Sequence, residues 1–159
     1  MPLGLTYRRI LEECASVAEA EALLKEVGRT TWMNLAVADS REAVVFEITP
    51  EQVGVRPAES GVACCTNHFQ LDGLTTIQSC DRIQKLDRLA GNGEKFDVRQ
   101  VQSALHAVNQ GEFTLQTMVF EPKSLRMHVS FGGPGPVSNR QMKTLELREW
   151  LTAAEQAVP

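Results

Sequence analysis

The sequence predicts an α+β fold with mainly antiparallel sheet. Two observations carry this. Runs of short, alternating strands sit together in the chain and are followed by runs of amphipathic helix, rather than strand and helix alternating one by one. The strands are also separated by tight turns too short for parallel crossovers.

The elements follow in order. Tyr7 to Ala15 reads as a short helical turn or part of an interrupted helix. Ser16 to Val27 is the first clear helix: Ser16 and Glu19 have the spacing of a capping box, Val17, Ala20, Leu23, Leu24 and Val27 share one face, and Gly28 ends it. Trp32 to Ala38 alternates with Met33, Leu35 and Val37 on one side, Asp39 to Glu42 turns, and Ala43 to Ile48 returns. Gln52 to Arg56 and Gly61 to Thr66 are read as two more strands of an antiparallel meander. Two helices are expected next, Ser79 to Leu89 with Ser79 as N-cap, and a second capped by Asp97 that lines up Val98, Val101, Ala104, Leu105 and Val108. Leu115 to Glu121 and Arg126 to Phe131 form a hairpin, Gly132 to Pro136 break regular structure, and Thr144 to Val158 form an amphipathic tail. No repeat or long linker divides the chain, so residues 1–159 are expected to be one domain without an internal boundary.

Bulk properties narrow the function. At 159 residues and 43% hydrophobic content the chain is long and apolar enough for a core. The 20 acidic against 16 basic residues, net −4, disfavour nucleic-acid or anionic-membrane partners, which need a positive field. No apolar run approaches a membrane span of about 20 residues. Cys14, Cys64, Cys65 and Cys80 contain no C-x-x-C pair, so neither a metal site nor a cofactor is expected, and reduced thiols point to a cytoplasmic protein. A metal-binding role ranks last among the functions considered.

Two polar positions stand out. Asn67, at the mouth of a strand in Ala63-Cys64-Cys65-Thr66-Asn67-His68-Phe69, has an uncharged amide that can donate to an oxyanion, or it simply forms a turn. Arg82, in Ser79-Cys80-Asp81-Arg82, sits in the first turn of a helix, where the helix end disfavours a cation; it faces an anion or carboxylate, or pairs with Asp81. Cys65 with His68 is a conceivable Cys–His nucleophile pair, but residues three apart on a strand point to opposite faces, so the pairing requires a bend. His106, Glu47 and Glu121 read as structural or ion-paired, and His128 as facing away from Met127 and Val129.

The hairpin N-L-A-V-A-D-S-R-E-A-V-V-F-E-I, the strand end A-C-C-T-N-H-F, the helix start S-C-D-R-I-Q-K-L-D-R-L and the hairpin T-L-Q-T-M-V-F-E-P span roughly residues 6 to 131. In that order they resemble the choloylglycine hydrolase and isopenicillin-N acyltransferase family of N-terminal-nucleophile hydrolases. The resemblance implies a partial αββα sandwich and transfer or hydrolysis of the acyl group of a linear amide. The family's nucleophile is an N-terminal Cys exposed by self-cleavage, whose α-amine serves as base. On that pattern Asn67 matches the Asn near nucleophile and oxyanion, and Arg82 the Arg that orders the nucleophile's surroundings. The sequence begins Met1-Pro2, and the family's nucleophile belongs upstream of the first matching segment. The expectation is therefore the C-terminal portion of a longer enzyme, inactive alone, whose substrate is a small-molecule amide or acyl donor. The alternative is a non-catalytic binding or self-assembly module. Either way, uncovered sheet surfaces predict a homo-oligomer.

Overall fold

The computed structural model describes residues 2–75, 80–91, 95–133 and 135–151, the side chain of Leu3 excepted. They form two compact units, Met1–Gly93 and Glu94–Pro159, each an antiparallel three-stranded sheet with helix beside it. The α+β class is thus met.

In the first unit, α1 (Leu3–Glu13) and α2 (Val17–Glu26) precede β1 (Met33–Ala38), β2 (Ala43–Ile48) and β3 (Val53–Pro57), and α3 (Asp81–Ala90) closes it. Ser16 caps α2 by accepting from the Glu19 amide at 3.2 Å, while the Glu19 carboxylate reaches back to the Ala15 amide. Asp39 ties this helix start to the β1–β2 turn: one carboxylate oxygen accepts from the Val17 amide and the other from the Arg41 and Glu42 amides. At the other end of α2, Arg29 donates to the Leu24 carbonyl and to the Thr49 carbonyl in the β2–β3 turn. A cation there also suits the negative end of the helix dipole.

The sheet order is β1-β2-β3, and its register sorts the side chains onto two faces. The rows Met33–Ile48–Val53, Leu35–Phe46–Val55 and Val37–Val44–Pro57 make one face. It packs on Val17, Ala20, Leu23 and Leu24 of α2 and Ile10 of α1, giving a core around Phe46 and Leu24. The rows Asn34–Glu47–Gly54 and Ala36–Val45–Arg56 make the other. Val45 and Glu47 on it are both 0% exposed, so β2 is buried on both sides.

Gly61 to Thr66, expected as a fourth strand, joins no sheet; only an isolated bridge links Glu59 and Val62. Its apolar run Val62-Ala63-Cys64-Cys65 suits a strand, but its carbonyls are met by side chains of the second face instead of by a neighbouring strand: Arg56 donates to the Cys64 carbonyl and Asn34 to that of Thr66. Helix α3 begins one residue later than its sequence signal, with Cys80 at the N-cap position. Ser79, the expected cap, lies outside the described residues.

The second unit holds α4 (Val98–Ala107), β4 (Gln116–Glu121), β5 (Arg126–Phe131) and β6 (Lys143–Glu146), in sheet order β4-β5-β6. Asp97 and Gln100 close a reciprocal capping box at the start of α4. The tail from Thr144, expected only as amphipathic, resolves into elements: Lys143 to Glu146 pair with Val129 to Arg126 as a strand, and helix begins at Leu147. Lys-Thr-Leu-Glu, with only Leu145 apolar, fits an edge strand as readily as one helical turn, and the open edge of β5 decides it. The expected tail beyond Leu151 lies outside the described residues.

Candidate active site

The loop from Cys64 to Thr75 crosses the second face of the first sheet. Phe69 and Leu74 are buried in it, and Phe69 stacks on Trp32 with ring centroids 6.1 Å apart. Gly54 makes room: a Cβ there would lie 2.4 Å from Leu71 Cδ1.

Asn67 is at the exposed crest of this loop, and Arg82 is in the first turn of α3. The structure brings the two together: Arg82 Nη2 donates to Asn67 Oδ1 at 2.9 Å. Because a guanidinium only donates, this contact fixes which way the amide points; Nδ2 is the group left to donate elsewhere. Among the described residues Arg82 makes no ion pair with Asp81. It faces the oxygen of the residue predicted to hold an oxyanion.

Cys80 adjoins the pair. It is 8% exposed, and its sulfur lies 3.6 Å from the Thr66 hydroxyl. Burial alone would raise its pKa. The Ile83 amide, the Thr66 hydroxyl, the His68 imidazole and the Arg82 amide outweigh that and bring the thiol down to about 6. A thiol at a helix N-terminus gains from the amides that point at it. Cys65, the conceivable substitute nucleophile, behaves oppositely: burial raises its pKa, only partly countered by Arg56. His68 thus acts on Cys80 and not on Cys65. Its Nδ1 is buried without a hydrogen-bond partner among the described residues.

Beside the loop a cleft of about 360 Å³ opens between β3 and α3, with Arg56, Cys64, Gln70, Ile83 and Asp87 among its walls. Glu47, read from sequence as one of two strand-end acids without a signal, lies beneath. Its carboxylate accepts from the Gln70 and Leu71 amides at 2.9 Å and from Arg56 Nε at 3.2 Å. The signal that finds it is a charged residue inside a β-branched and aromatic run, Val44-Val45-Phe46-Glu47-Ile48, where a carboxylate demands buried partners.

The histidines of the second unit are structural. His106 Nδ1 bonds the Ser138 hydroxyl at 2.9 Å, and His128 bonds Glu121 at 2.7 Å and Thr144 at 3.0 Å. His128 does lie on the face opposite Met127 and Val129. Among the described residues, no three or more His, Cys, Asp or Glu converge as a metal site. No helix among them is long and apolar enough to cross a membrane.

Comparison with known families matches residues 1–136 to the acyl-coenzyme A:6-aminopenicillanic acid acyl-transferase family. None of the curated proteins matches the chain. The family match covers most of the chain, and the chain belongs to that family.

Proposed function

We propose that this member of the acyl-coenzyme A:6-aminopenicillanic acid acyl-transferase family provides the oxyanion and nucleophile-ordering part of an enzyme that hydrolyses or transfers the acyl group of a linear amide. The observation that carries this reading is the 2.9 Å bond from Arg82 to Asn67 Oδ1, which turns the Asn67 NH₂ outward as a donor. In the reaction, a Cys thiolate adds to the amide carbon, the carbonyl oxygen becomes an oxyanion, and Asn67 Nδ2 donates to it. Arg82 holds the amide in that orientation. Collapse expels the amine, which takes up the proton that the α-amine of the Cys removed from its thiol, and leaves an acyl-enzyme that water or a second amine resolves. In this reading the attacking Cys is neither Cys65, whose pKa is raised by burial, nor Cys80, which is buried at the start of α3, and it belongs to a further segment of the enzyme. Residues 1–159 then contribute two compact units to that enzyme and are inactive alone.

The test assays residues 1–159, with and without the polypeptide encoded immediately upstream, against linear amides and acyl thioesters. Turnover is expected only with the upstream segment. In that active form Asn67→Ala should lower kcat by about 10²–10³, the usual loss for one oxyanion donor. Turnover by residues 1–159 alone, abolished by Cys65→Ser or Cys80→Ser, would overturn the assignment of the nucleophile. An unchanged kcat in Asn67→Ala would overturn the role of Asn67.

A second reading, a binding or self-assembling module, is favoured by apolar residues on one face of the β4-β5-β6 sheet, where Phe120 and Phe131 are exposed. It predicts a homo-oligomer in sedimentation, and a monodisperse monomer counts against it.

A further inference from the structure

The second face of the first sheet carries three polar side chains that the acyl-transfer reading does not use. Asn34, Glu47 and Arg56 come from three different strands, and Asn34 and Glu47 are direct cross-strand partners. All three bond backbone of the Asn67 loop. Asn34 Nδ2 donates to the carbonyls of Thr66 and His68 at 2.7 and 3.0 Å, one on each side of Asn67. Arg56 Nη2 donates to the Cys64 carbonyl at 2.6 Å. The Glu47 carboxylate accepts the Gln70 and Leu71 amides, and Arg56 Nε completes its shell.

We infer that Asn34, Glu47 and Arg56 are positioning residues: together they hold residues 64–71 so that Asn67 meets Arg82. The arrangement matches donors to carbonyls and an acceptor to amides, so it specifies one backbone register for the loop. A slip of the loop would take the Gln70 and Leu71 amides off the Glu47 carboxylate, which can only accept. A fully buried carboxylate with only donors around it cannot relax toward water, so the loop follows the sheet. The exposed Asn67–Arg82 contact, on its own, is too weak to order a loop. The grip supplies the order from below and leaves the crest open to a ligand. This coupling deepens the acyl-transfer reading but stands on the loop's geometry, so it is tested without turnover.

The measurement is the Asn67 side-chain NH₂ resonance pair in ¹⁵N-labelled residues 1–159, recorded with and without Arg82→Gln. In the wild-type background Arg82→Gln should shift the pair clearly. In a folded Glu47→Gln background the same change should produce less than about a third of that shift, because the pair is already parted. A full response in folded Glu47→Gln would overturn the inference, since a role limited to general stability leaves the folded population's contact intact. If Glu47→Gln does not fold, Asn34→Ala gives the same readout without stranding a buried charge. A full response there would equally overturn it. Loss of Asn67→Ala activity in the enzyme assay has no bearing on this outcome, so the two readings fail separately.

Discussion

Glu47 and Glu121 each sit in an antiparallel strand opposite or near an arginine, yet they do different work. Glu47 is 0% exposed and bonds the backbone of a loop over twenty residues away in sequence. Glu121 is part-exposed and bonds Arg126 and His128, side chains of its own hairpin. Burial and backbone partners make the first a device that transmits the sheet's geometry to Asn67. Exposure and side-chain partners make the second a local clasp. From sequence alone the two read alike; the structure separates Glu47, flanked by Phe46 and Ile48 in a doubly buried strand, from Glu121, which ends its strand at Pro122.

The contrast can be broken by mutation. Glu47→Ala strands Arg56 and two loop amides in the interior, so it should cost about 3–5 kcal/mol in urea unfolding. Glu121→Ala should cost clearly less, because water reaches its partners. Equal losses would erase the distinction. Leu24→Ala tests the sheet's other face. Leu24 is 1% exposed, and its truncation should cost about 2–5 kcal/mol while leaving the Asn67 resonances in place. Stability and loop position would then be shown to depend on opposite faces. Ser16→Ala, which removes one cap bond on an exposed helix end, should cost about 1 kcal/mol by the same unfolding measurement.

Two pH effects sharpen the picture further. Cys80 has a folded pKa near 6, below its ordinary value, so the thiolate's contribution is fully present above the ordinary thiol range and is lost as pH falls through about 6. Thiolate absorbance should show a step near pH 6 that Cys80→Ser removes. Glu121 is held below the usual carboxylate range by the His128 hydrogen bond and then by Arg126. Its contribution is present above that range and is lost as pH falls through the depressed value. The ¹H shifts of His128 should report a low-pH step that Glu121→Gln abolishes.

Much of this was legible in the sequence because the information is local. The Ser16 and Asp97 caps, the apolar stripe of α2 and the Asp39 turn follow from residues a few positions apart. Asn67 and Arg82 were legible as a pair of candidates, but their contact was not, since it depends on a loop and a helix start fifteen residues apart. Gly61 to Thr66 reads as a strand because a short apolar run does not reveal whether a carbonyl finds a strand or a side chain. Glu47 and Asn34 were hidden for the same reason. Their role exists only once register places them on one face. The lowered thiol of Cys80 likewise needs Thr66 and His68 brought to the start of α3.

The most direct test of the claim that the sheet holds the Asn67 loop is amide hydrogen exchange of Gln70 and Leu71 in the unaltered chain. Neither amide belongs to a helix or strand, and Gln70 is exposed as a residue. Both are predicted to exchange as slowly as the paired amides of β2, because their acceptor is the buried Glu47 carboxylate. Exchange at the rate of an open loop, with β2 still protected, would contradict the account.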